Sequence, residues 1–191
     1  MKTKKTNRGM FYRAGQALAY FVVAAVILGV AAPARAQVNS NFGTVNLQAN
    51  MADSLSVTAS PSLVNFALVP SGIAVGSVPV SITTSWRLHP PLTATTYAYF
   101  LSAPAALTDG AANNIASSRV LGSVNGGAFA TFTAANPFTA GSGLQIFSVR
   151  IKGFNRVGSN TDSLNLEIDT SGLSLPAGIH TGLLVIQAQA I

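Results

Sequence analysis

Residues 173–191 read LSLPAGIHTGLLVIQAQAI. Pro176, Ala177 and Gly178 make a turn, and alternating side chains then carry on to Ile191. Leu183, Val185 and Gln187 point one way, and Leu184, Ile186 and Ala188 the other. A run apolar on both faces predicts a strand buried inside a sandwich, because neither face could be left in water. No charged tail follows, so the chain is expected to finish inside its own sheet, with earlier segments as neighbours.

Those neighbours are legible as further period-two runs. Val45, Leu47 and Ala49 fall in step, then Leu55 and Val57, then Val64, Phe66 and Leu68. The longest clean alternation is Val78, Val80, Ile82, Thr84 and Trp86, where Pro79 predicts an edge position or a start beyond it. His89-Pro90-Pro91 is a stiff connector before the aromatic strand ATTYAYFLS. Residues 103–118 and 133–143 read as loops, and Val120–Val124, Asn125-Gly126-Gly127 and Ala128–Phe132 as a hairpin. LQIFSVRIK and SLNLEID, separated by the loop FNRVGSNTD, complete the set. About nine short strands with Gly, Pro, Asn and Ser turns, and no amphipathic helix after residue 36, predict an all-β, immunoglobulin-like β-sandwich. Strand order is not readable from the pattern, so a jelly roll stays open.

The N-terminus reads as an address. Lys2, Lys4, Lys5, Arg8 and Arg13 precede an apolar run from Ala17 to Ala32, and Ala34-Arg35-Ala36 is the small-residue site a signal peptidase reads. Residues 1–36 are thus expected to be a secretory signal cleaved before Gln37, leaving one domain, 37–191. The membrane would be met only during export, and the final location would be periplasm, outer cell surface or medium. The apolar run is short for the roughly 20 residues that span a bilayer.

Removing that segment cancels the charge. Six of the eleven Lys and Arg residues lie in 1–36. Arg87, Arg119, Arg150, Lys152 and Arg156 remain against Asp53, Asp109, Asp162, Glu167 and Asp169, a net charge of zero. No basic stripe is left for a nucleic acid, and a surface so poor in charge lacks a common brake on self-association. The chain has no cysteine, which removes disulfides, thiolate metal sites and cysteine nucleophiles.

Polar chemistry is sparse. The two histidines, His89 and His180, have no recognisable nucleophile motif beside them. Glu167 and Asp169 share a strand face, with Asp162 expected in the preceding loop, but the dense carboxylate spacing of a calcium loop is missing. A solvated strand face accounts for them, and Arg150 and Lys152 could pair with them across strands. No catalytic, metal or cofactor site is therefore expected. Trp86, Tyr97 and Tyr99 form a candidate glycan platform, since aromatic rings stack on sugars; ordinary packing is the other reading.

Val45–Gly72 and Leu175–Ile191 resemble the opening and close of spore-coat-U-like domains and of the related pilins of archaic chaperone–usher systems. Asn65-Phe66 and Pro176-Ala177-Gly178 occupy the places of that family's short signatures. The chain departs from it in lacking a cysteine pair, in having His180 where an aromatic is usual, and in ending without an aromatic-rich strand. The resemblance implies strand donation: each subunit lacks one strand, and the N-terminal extension of the next fills the gap. Residues 37–51 would be the donor, with Val45, Leu47, Ala49 and Met51 as pocket-filling side chains. The same segment could equally be the domain's own first strand. The expected function is a non-enzymatic, exported structural or adhesive surface protein, such as a fibre subunit, whose partners are copies of itself or other surface proteins. The alternative is a monomeric glycan- or protein-binding module.

Overall fold

The computed structural model describes residues 43–138 and 141–191. The expected signal segment, its cleavage site and residues 37–42 lie outside these. The chain divides into a unit ending at Ala49 and a compact unit from Asn50 to Ile191. Residues 43–49 of the first unit carry no regular secondary structure.

The second unit is an antiparallel β-sandwich, as the alternation predicts. Its first sheet runs β1 (Ser54–Ser60), β3 (Val80–Arg87), β11 (Val157–Asp169), β7 (Val120–Val124) and β8 (Ala130–Thr131). Strand β2 (Ile73–Val75) pairs with the last three residues of β11. The facing sheet runs β12 (Leu184–Ala190), β4 (Thr93–Phe100), β10 (Ser142–Arg150) and β9 (Ala134–Ala135). A two-residue ladder joins β5 (Leu107–Thr108) to β6 (Asn114–Ile115). The described residues thus hold twelve strands rather than about nine, partly because such short ladders form where only loops were expected.

Alternation decides which side chains meet between the sheets. Val80, Ile82, Thr84 and Trp86 of β3 face Ala94, Thr96, Ala98 and Phe100 of β4, and all are buried. Phe100 and Phe132 meet edge to face at 5.2 Å, and Trp86 stacks on Phe147 at 5.5 Å. The two buried hydroxyls, Thr84 and Thr96, satisfy each other across the core at 2.8 Å. The outer face of the first sheet needs no charge to stay wet. Thr58, Thr83 and Thr161 form one cross-strand row and Ser56, Ser85 and Ser159 the next.

Several expectations are corrected. β11 begins at Val157, so most of the loop expected over 154–162 is strand; β3 supplies its partner from Arg87 to Val80. Asp162 is accordingly within a strand and buried, not in a loop. β3 does start beyond Pro79, one of the two outcomes expected there, and it is an interior strand. The run Val64–Leu68 makes only one bridge, Phe66 to Gly76, and is not a strand. β12 is an edge strand, paired with β4 alone and half-buried rather than enclosed. It does finish inside its own sheet, with Ile191 and Thr93 exchanging backbone hydrogen bonds of 3.1 and 2.6 Å.

Candidate functional site

β1 and β12 approach each other at one end of the sandwich, where Leu55 and Ala190 pack on the cluster of Trp86, Leu88, Ala94 and Ile151. Toward the other end the two edges part. Pro61 and Pro70 bracket the segment that follows β1 and keep it from continuing as a ladder strand. Before β12, the segment 173–183 is equally irregular. Among the described residues, no backbone N–H between Ser174 and His180 donates a hydrogen bond.

An apolar groove of about 1120 Å³ opens between these segments. Val80, Phe100, Val120, Leu166 and Ile168 form its floor, while Leu184 and Ile186 of β12 face into it. Its walls are pinned from behind. The Thr170 hydroxyl accepts from the Gly72 N–H at 3.0 Å and donates to the carbonyls of Val69 (2.6 Å) or Gly72 (2.9 Å). Thr181 and Thr108 exchange two backbone hydrogen bonds of 2.8 Å. The groove therefore has a built floor and fixed sides. What it lacks, among the described residues, is a strand to cover the floor and pair with the open edge of β12.

His180 lies in the wall with both ring nitrogens shielded from solvent and without a hydrogen-bond partner among the described residues. A buried unsatisfied polar group costs about 1–3 kcal/mol, whereas an apolar ring of similar shape does not carry that cost. His180→Phe is therefore expected to raise stability by roughly 1 kcal/mol, read as an upward shift of the urea midpoint at unchanged slope.

The candidate donor residues are solvent-facing: Val45 is 82%, Leu47 92% and Met51 67% exposed. Residues 43–53 belong to no strand, and the first strand of the sandwich begins at Ser54. Within the sandwich unit, the Arg87 guanidinium donates to Met51 Sδ at 2.8 Å, and Asp53 accepts from the His89 N–H at 2.9 Å. The stretch just before β1 is thereby held at the end of the sandwich away from the groove.

The three candidate glycan residues are not brought together. Trp86 lies between the sheets with its indole N–H donated to the Asn155 carbonyl at 2.9 Å. Tyr97 and Tyr99 lie on the outer face of the β4 sheet, where both rings meet Phe138. Tyr99 is only 2% exposed and donates to Gln187 Oε1 at 2.7 Å. Tyr97 alone of the three keeps a partly open ring on that face.

The acidic residues also separate. Asp162 accepts from the side-chain amides of Asn125 at 2.8 Å and Asn160 at 2.7 Å. Glu167 and Asp169 do share the outer face of β11, as expected, and Asp169 pairs with Arg119 at 3.4 Å. Arg150 and Lys152 sit at the opposite end of the sandwich and do not pair with them. Among the described residues no three His, Cys, Asp or Glu side chains cluster as a metal site would require. No described helix is long and apolar enough to cross a membrane. No known family model, characterised protein or solved structure matches the chain.

Proposed function

We propose that the protein is an exported, non-enzymatic structural subunit whose groove accepts the N-terminal segment of another copy. The observation that carries this reading is the pairing of two incomplete parts in one chain. One is an apolar groove bordered by an unpaired strand edge, and the other is an exposed segment alternating Val45, Leu47, Ala49 and Met51. An incoming strand gains backbone hydrogen bonds from the open edge and buries alternate side chains against the floor. Each large apolar side chain fully removed from water contributes about 1.5–3 kcal/mol.

Chain reach keeps the second half of the segment out of its own groove, so all four side chains can be seated together only in another copy. β1 spans seven residues, about 20 Å at the usual strand rise, from Ser54 to the groove's near end at Ala59–Pro61. Met51 stands three residues before Ser54 and reaches about 10 Å at full extension. Neither Met51 nor Ala49 can enter its own groove without dismantling β1. Donation to a neighbour repeats head to tail, a heterologous contact that builds open fibres unless the rotation closes a ring. The glycan-binding reading retains only Tyr97 of its three residues as an open ring.

Because the chain has no cysteine of its own, paired cysteines report this contact directly. The variant Leu47→Cys with Leu63→Cys at the groove rim is expected to give a ladder of disulfide-linked multimers on non-reducing gels. Leu47→Cys with Thr83→Cys on the outer face should give none. Monomers bridged within one chain, or no bridging with either pair, would overturn the proposal.

A further inference from the structure

The ladders and the hydrogen bonds beside them place each charged side chain of the described residues at a height along the sandwich. Arg87 pairs with Val157 and Ser54, and Arg150 with Thr93, so the end that also contains the 151–156 turn holds Arg87, Arg150, Lys152 and Arg156. The single acid there is Asp53, 3.7 Å from His89. At the other end, β11 finishes with Glu167 and Asp169, and Asp109 follows Thr108, which is bonded to Thr181 in the groove wall. Among the described residues, the only Lys or Arg at that end is Arg119, already paired with Asp169. Asp162, the fifth acid, is buried midway and opposite Ile82. A chain with no net charge after residue 36 is thus sorted into a basic end and an acidic end.

Local hydrogen bonds favour the ionised form of two carboxylates at the acidic end. Hydrogen bonds from the Asn113 side chain and the Ala111 N–H hold the Asp109 carboxyl below the usual range. The Ser171 hydroxyl and N–H, with Arg119 adding to them, do the same for Asp169.

We propose that this polarity docks successive subunits: the basic end of one copy meets the acidic, groove-bearing end of the next. The inference rests on the strand-donation reading and specifies its partner surface. The geometry makes the two coincide. The N-terminal segment leaves the sandwich at Ser54, in the basic end, and must enter a groove that opens in the acidic end. A copy presented the wrong way round brings like charges together. Phe154, 86% exposed at the tip of the turn between Lys152 and Arg156, supplies an apolar anchor at the same face. β11 alone is 13 residues, about 43 Å long. The two ends of one molecule are therefore separated by several screening lengths at physiological salt, and the charges act at the encounter between copies.

The test uses Leu47→Asp chain, which carries an empty groove and a disabled donor, as a labelled acceptor that caps wild-type assemblies. Its association rate is expected to fall on the order of tenfold or more as ionic strength rises from about 0.01 to 0.15 M. Glu167→Lys in the acceptor should slow capping, as should Lys152→Glu with Arg156→Glu in the assemblies. Combining both reversals should restore the rate. A labelled peptide of residues 43–52, which has no charged side chain, probes the groove separately and should bind all acceptors equally at every salt concentration. Peptide binding with capping rates that ignore salt and reversal would overturn the docking proposal alone. Failure of the peptide to bind would overturn strand donation, and the docking proposal with it.

Discussion

Leu47→Asp is expected to abolish assembly while leaving the sandwich as stable as before. The side chain is 92% exposed and belongs to no strand, so the domain has nothing to lose at that position. A surface change of this kind moves stability by less than about 0.5 kcal/mol. In a neighbour's groove, the same carboxylate would have to sit over Val80, Phe100, Leu166 or Ile168 with no cation on the floor. Removing an unpaired charge from water costs several kcal/mol, and about 4 kcal/mol corresponds to a thousandfold loss of affinity. Light scattering of the purified variant should therefore show monomer at concentrations where wild type is multimeric, with an unchanged melting temperature. Assembly of the variant at wild-type concentrations would exclude this segment as the donor. Leu47→Ile, which keeps volume and polarity, should assemble.

Asp162→Ala is expected to destabilise the sandwich by roughly 3 kcal/mol, because it removes a buried carboxylate and two hydrogen bonds to it, each charge-assisted and contributing about 1.5 kcal/mol. Asn125 donates to one carboxylate oxygen and Asn160 to the other. Asn125 is also a structural clamp: its N–H donates to the Ser163 carbonyl and its side-chain oxygen accepts the Ser163 N–H, each at 2.8 Å. It does so from a left-handed turn, with φ of 52° at Asn125 and 73° at Gly126, which holds the β7–β8 hairpin against β11. Loss of the carboxylate loosens this joint. For a domain of this size the melting temperature should drop by about 10 °C, and amides of 120–131 should lose hydrogen-exchange protection first. A drop of less than about 2 °C would show that the carboxylate is dispensable to the joint.

Both predictions turn on residues whose types were legible and whose surroundings were not. Val45, Leu47, Ala49 and Met51 announce a strand by alternation, yet alternation cannot say which sheet receives them. That depends on whether a neighbouring edge is left open, and here the open edge belongs to β12, well over a hundred residues later. Asp162 looks like part of an acidic loop because Gly158, Ser159 and Asn160 are turn-forming residues. They are strand instead, because β3 offers a partner whose pairing outweighs weak local preference. Trp86, Tyr97 and Tyr99 look like one aromatic set. The pleat sends Trp86 inward and the tyrosines outward, a difference visible only once the facing sheet is known.

Local order and composition suffice for the all-β class, the inward set of β3 and β4, the Asn-Gly hairpin, the charge balance and the absence of thiol chemistry. Each of these depends only on neighbours a few residues apart or on composition. Tertiary structure alone decided where the sandwich closes and where it gapes, because that is set by how far two edges from opposite ends of the chain can follow each other. It alone also sorted nine of the ten formal charges after residue 36 into a basic end and an acidic end, with Asp162 between them. Strand pairing fixes height along the sandwich, and height is a property that linear order does not contain.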